Sequence, residues 1–162
     1  MRLPQIFVDV LVWAAERVTH NFPPSMIIGG ADDPYLLRWY LIPRNRFFNV
    51  YLHEFHRSDD DRALHDHPWC SMSLVLTTGY WEHLEDAVIW RWAGSVLFRS
   101  ATLAHRIALG AKYHGEGLPL TIFITGPKIR DWGFHCPKGW IPWWEFVSGA
   151  DKGVPGKGCG ET

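Results

Sequence analysis

The residues of this chain best suited to chemistry are its nine histidines. Two of them stand in the run Arg62-Ala63-Leu64-His65-Asp66-His67-Pro68-Trp69. Side chains alternate along a strand, so His65 and His67 point the same way and can bind one ion, while Asp66 points elsewhere. A pair of imidazoles does not complete a metal centre, and further ligands must come from other parts of the chain. Glu54, Glu82 and Cys70 are the groups considered for a place beside the pair, although a small buried core position is the stronger expectation for Cys70. His53 and His56, three apart on or after the preceding strand, are expected at the surface or next to the site. His20, His83 and His114 are expected in solvent.

The elements that must position these groups are short. From Tyr35 onward, runs rich in aromatic and β-branched residues occupy 37–42, 47–55, 72–77, 87–92, 95–98, 103–109 and 119–125. Turn formers separate them, among them Pro43, Gly79, Gly94 and Gly110. Many short strands with no helical segment between them predict an antiparallel sandwich or jelly roll. Ahead of this domain, residues 4–19 predict an amphipathic helix. Its polar stripe is Gln5, Asp9, Glu16 and His20, and Ile6, Phe7, Val10, Leu11, Ala14 and Val18 form the packed face. Asp9 and the single basic residue at the start argue against a signal peptide. The expected organisation is therefore a helix and Pro/Gly linker over 1–34, one barrel over 35–148, and a disordered tail over 149–162. Five glycines between Gly149 and Gly160 mark the tail, which is expected to be dispensable.

Sixteen Lys and Arg against seventeen Asp and Glu give a net charge of -1. No global positive field draws the chain to nucleic acid or anionic lipid, and no apolar run approaches the ~20 residues of a membrane span. Cys70, Cys136 and Cys159 show no C-x-x-C spacing, so neither a disulfide framework nor a zinc ribbon is expected, and a reducing cytoplasm fits best. No G-x-S-x-G elbow is present, which disfavours a nucleophilic hydrolase.

The histidine segment and the residues after it, as far as His105, resemble the cupin family. His65-x-His67 leads to Gly79 at the spacing of the family's first motif, and Gly94 through Ser100 and Thr102 to His105 has the spacing of the second. The resemblance covers about residues 47–125 and implies a double-stranded β-helix, a jelly-roll barrel with a metal inside one mouth. It makes His105 the third ligand beside His65 and His67. Ser100 and Thr102 replace the family's proline and glycine, and the family's carboxylate ligand would fall at Ser71 or Met72, neither of which is an acid. Together with the aromatic run from Thr125 to Phe146, the HDHPW segment resembles small cupin-like proteins of bacteria and phages.

Three neutral imidazoles leave a divalent ion with open coordination positions, the form expected of a catalytic rather than a structural site. The resemblance implies one divalent transition metal, iron first, with zinc, nickel, manganese or copper as alternatives. An arginine inside such a barrel would hold an acidic substrate bidentately. Arg62, Arg99 and Arg106 flank the histidine segments and are the candidates, with Trp69, Cys70 and Glu82 as further pocket residues. The expected function is a mononuclear non-haem metal oxygenase of dioxygenase type, or a related metalloenzyme such as a lyase or isomerase, acting on a small molecule. The alternative is a non-catalytic binding module whose metal is structural or absent. A homodimer joined through sheet edges is the expected assembly.

Overall fold

The computed structural model describes residues 1–59, 63–110, 117–147 and 157–160. Helix α1 spans Gln5–Asn21, with Pro4 immediately before its first turn and Phe22 in extended conformation at its end. A residue preceding a proline is pushed out of the helical region, so Phe22 before Pro23 stops the helix there. Twelve strands come after it: β1 (Met26–Ile28), β2 (Leu36–Tyr40), β3 (Asn49–Phe55), β4 (Leu64–His65), β5 (Ser71–Val75), β6 (Gly79–Leu84), β7 (Val88–Trp92), β8 (Val96–Arg99), β9 (His105–Ala108), β10 (Leu120–Thr125), β11 (Gly133–Cys136) and β12 (Gly139–Pro142). A single turn, α2 (Trp143–Phe146), comes last.

The strands form two antiparallel sheets, ordered β1-β2-β3-β10-β5-β8 and β12-β11-β4-β9-β6-β7. From β3 to β11 the chain passes back and forth between the sheets, with the β6-β7 hairpin inserted on one crossing. This winding is the jelly roll that the strand pattern predicts. Between the sheets, Leu36, Phe55 and Val75 meet Tyr80 and Ile107. On the outer side of the first sheet, Trp39, Leu52, Leu74, Leu76 and Leu120 pack under α1 through Ala15, Leu11, Val12 and Val18. Fully burying one such aliphatic side chain is worth ~1.5–3 kcal/mol, so this layer fixes the helix firmly.

Several expectations need correction. The face of α1 that packs is Val8, Leu11, Val12, Ala15 and Val18, whereas Ile6, Phe7 and Val10 are 60–71% exposed. A helix lying on a sheet buries one stripe only, and this apolar run is wider than one stripe. The expected linker contains β1, which pairs with β2 through Met26 opposite Arg38. Strands β11 and β12 lie in the aromatic segment, where no strand is expected from the pattern. Most of the expected disordered tail falls outside the described residues, but Lys157 to Gly160 are placed, and Cys159 forms a disulfide with Cys136 on β11. Their separation of 23 residues hides the pair from spacing rules, because the β11-β12 hairpin and α2 are what return the chain to β11. The bridge removes the ground for a reducing cytoplasm, which was the absence of an expected disulfide. Among the described residues, no helix is long and apolar enough to cross a membrane.

Candidate metal centre

His65 is the last residue of β4 and pairs directly with His105, the first residue of β9. His67 lies in the turn beyond β4, its backbone N–H donating to the Ala101 carbonyl. These placements bring one nitrogen from each of the three imidazoles within 4.8 Å of the others. The Nε2 atoms of His67 and His105 face one another at 2.9 Å. Two neutral imidazoles can share one proton at that distance, or turn both lone pairs toward a common cation.

Glu82 decides which of these His105 favours. It is 1% exposed on the inward face of β6, and its Oε1 lies 3.1 Å from His105 Nδ1. A carboxylate there holds the His105 proton on Nδ1 and leaves Nε2 as a lone pair directed at His67, the arrangement by which proteins orient histidine ligands. The acid is itself fixed by two arginines. Arg99 on β8 reaches across the barrel to Oε1 at 2.6 Å and donates to Ser73 Oγ at 2.8 Å, while Arg91 on β7 meets Oε2 at 2.6 Å. Burial pushes the Glu82 carboxyl up, but the contact with His105 and the charges of Arg99 and Arg91 hold it well below its ordinary value. Glu82 therefore stays ionised.

Burial also sets the histidines. It pushes the His65 imidazole down to about 4, with the carboxylates of Asp59 and Asp66 opposing and the charges of His105 and Arg99 assisting. His67 is lowered well below its usual range, first by burial and then by the charges of His65, His105, Arg99 and Arg38. Both rings are therefore neutral at neutral pH, as a metal ligand must be.

Aromatic rings enclose the cluster. Trp132 lies 6.2 Å from the His65 ring and 6.5 Å from that of His67, and it stacks on Trp143 at 5.9 Å. On the other side, Phe123 lies 6.2 Å from His67 and stacks on His53 at 5.1 Å. Asp66, between the two histidines in sequence, faces away from them. It is 1% exposed, accepts from Gly133 N–H at 2.9 Å and Trp140 Nε1 at 3.0 Å, and pairs with Arg130 at 2.8 Å and His135 at 3.1 Å. These bonds clamp β4 to the β11-β12 hairpin that carries Trp132's neighbours. A Cβ at Gly133 would collide with the Ile141 carbonyl oxygen, so only glycine permits this approach.

Of the arginine candidates, Arg99 points inward. Arg106 lies on the other face, half-buried beside His83 Nδ1 at 3.4 Å. Arg62 and His114 lie outside the described residues. Cys70 is exposed and unbridged, which corrects the buried expectation: the turn after His67 carries it out of the core. Trp69 is half-buried in the same turn. Glu54 bonds His56 at 2.7 Å and borders a groove of about 730 Å³ on the outer face, with Leu37, Trp39 and the end of α1, away from the three histidines. His135 and Cys136 form no second metal pair, being engaged by Asp66 and Cys159.

Sequence reasoning missed Arg38 and left His53 either at the surface or next to the site, where the structure buries it on the inward face. Both were legible from strand parity, since Leu36, Arg38 and Tyr40 alternate with Leu37 and Trp39, and Tyr51, His53 and Phe55 alternate with Leu52. The same parity puts Ser71 and Ser73 on the inward face of β5 and Met72 on the outer one.

No protein-family model matches the chain, and no curated protein does either. Solved structures do resemble it. The fold is a double-stranded β-helix. One similar structure is a double-stranded β-helix protein from Klebsiella pneumoniae, 14% identical, with a TM-score of 0.49 over 67% of this chain and 90% of that one. An RmlC-like cupin from Ralstonia eutropha is 16% identical, with a TM-score of 0.49 over 75% and 73%. A DMSP lyase from Ruegeria pomeroyi is 14% identical, with a TM-score of 0.46 over 64% and 51%.

Proposed function

We propose that His65, His67 and His105 hold one divalent first-row transition metal, iron first, and that the protein is a cupin-type mononuclear metalloenzyme acting on a small molecule. The observation that carries this reading is the Glu82–His105 contact at 3.1 Å, which leaves the His105 lone pair aimed at His67. A buried ion pair built around one imidazole nitrogen is costly to assemble, and orienting a ligand is the use that fits it. A divalent ion held by these three imidazoles would keep its full charge and would supply Lewis acidity or redox chemistry.

The chain's own residues do the rest. Trp132 and Phe123 flank the histidines and reduce their contact with water, which strengthens the charge interactions beside them. Arg99 keeps Glu82 ionised, so a carboxylate faces His105 Nδ1 and orients the ring.

Elemental analysis of the purified protein tests the reading, with close to one first-row metal per chain expected. His67→Ala removes one of three ligands and should cut occupancy by about tenfold or more. Full occupancy in that variant would sink the assignment. Oxygen consumption by the iron-loaded protein, with and without small-molecule candidates, separates an oxygenase from a non-catalytic binder.

A further inference from the structure

We infer that Arg38 and His53 form an anion-binding subsite beside the three histidines, and that the molecule brought to that centre is a small organic carboxylate. The inference rests on the proposed metal centre for what the carboxylate is brought to, but its own support is separate.

The two arginines on the inner faces of the first sheet differ in one respect. Arg99 is neutralised by Glu82. Arg38, half-buried on β2, donates from Nε to His53 Nε2 at 2.8 Å and lies 4.8 Å over the Tyr51 ring. Among the described residues no carboxylate pairs with it; it contacts His53 and Tyr51, and the other titratable groups that act on it are Tyr35, Tyr40 and Arg44. A guanidinium drawn partly out of water without a counter-ion is costly, and an arriving anion offsets that cost.

The subsite shares the inner face of the first sheet with Phe123, which adjoins His67. Arg38 meets His53, His53 stacks on Phe123, and Phe123 adjoins His67, so the rings of His53 and Phe123 connect the cation to the histidine cluster. His53 is 4% exposed, and burial followed by the Arg38 charge lowers its basicity well below the usual range. It accepts from Arg38 through Nε2, so its remaining proton is on Nδ1. The guanidinium keeps two NH2 groups for a fork-shaped bond, the geometry a carboxylate matches. Strand amides in β2 and β3 are committed to the ladder, leaving no cradle of N–H groups for the greater charge of a phosphate. The apolar faces of Tyr51 and Phe123 suit a ligand whose body is apolar or aromatic.

Benzoate, benzamide and inorganic phosphate are titrated calorimetrically into the wild-type protein, Arg38→Gln and Arg38→Lys, and nickel is titrated into each. Arg38→Gln keeps a donor for His53 and removes the charge. Benzoate should bind the wild type at least ~10-fold more tightly than benzamide or phosphate, and Arg38→Gln should lose ~10-fold or more of that affinity. Arg38→Lys, which keeps charge without the fork, should fall between and stands in if the glutamine variant does not fold. Nickel affinity should be the same in all three. Equal benzoate binding by the wild type and Arg38→Gln, or tighter binding of phosphate than of benzoate, overturns the inference. Absence of nickel binding alongside Arg38-dependent benzoate binding overturns the metal proposal and supports the subsite.

Discussion

Two carboxylates, Glu82 and Asp66, are each 1% exposed, and each is paired with arginine and histidine, yet they serve opposite faces of one sheet. Glu82 looks into the barrel and holds His105, Arg99 and Arg91. Asp66 looks out and holds Gly133, Arg130, His135 and Trp140, tying the C-terminal hairpin to the strand that carries His65. Their chemistry is nearly the same. What differs is the face, and the face decides whether the acid orients a candidate ligand or fastens a cover. Proximity in sequence misleads here: Asp66 is one residue from two of the histidines and turns away, while Glu82 is 23 residues from His105 and touches it.

The sharpest test of that contrast is to delete each acid. Glu82→Ala leaves the buried Arg99 without its counter-ion and should cost ~3–5 kcal/mol in urea denaturation, with nickel affinity falling ~10–100-fold through the freed His105. Asp66→Ala should cost less, ~2–3 kcal/mol, because Arg130 is partly solvated, and should leave nickel affinity unchanged. Equal losses of metal affinity in the two variants would break the division of labour.

The clamp has a second fastening in the Cys136–Cys159 disulfide. Cys159→Ser opens a loop of 23 residues and should cost ~3 kcal/mol, read as a lower melting temperature with nickel affinity retained. Truncation after Val147 should do the same, against the expectation that the tail is dispensable. Unchanged melting in both would show that the hairpin is held by Asp66 alone.

Acidification of the metal-free protein gives a smaller effect. Burial lowers His65 from an ordinary 6.5 to about 4, so between those values the unfolded chain binds a proton that the folded one refuses. Stability should therefore be complete above pH 6.5 and decline as pH falls toward 4, with His53 and His67 acting in the same direction. Asp66 adds a loss beginning near its ordinary 3.8, since its carboxyl is lowered: burial pushes it up, and the Arg130, Gly133 and His135 bonds outweigh that. A melting temperature flat from pH 7 to 4 would contradict the lowered basicity of these histidines.

The smallest expected change concerns the missing ligand carboxylate. Ser71 faces the barrel with Ser73, and Met72 faces out with Leu74. Ser71→Glu should raise nickel affinity by about tenfold, ~1.4 kcal/mol, by adding an anionic oxygen on the inward face. Met72→Glu should leave it unchanged. The reverse result would mean that the strand register places the site differently.

Much of this molecule was determined by local pattern. Alternation of aromatic and β-branched residues with turn formers fixed most of the strands, because each strand's preference is a property of its own few residues. The spacing of His65 and His67 suggested that they converge, although His67 lies beyond the end of β4 and is held there by the Ala101 carbonyl, and the resemblance to the cupin motifs supplied His105. Other features depend on groups distant in sequence meeting across the barrel, and only the tertiary structure decided them. Glu82 reaches His105 because β6 pairs with β9, and Arg99 reaches Glu82 because the two sheets face each other. Cys159 meets Cys136 only once the chain is wound, and only then, among the described residues, is Arg38 left without an acid. Periodicity assigns a residue to one of two faces, but the identity of what lies opposite is settled by sheet pairing, to which no short window of sequence has access.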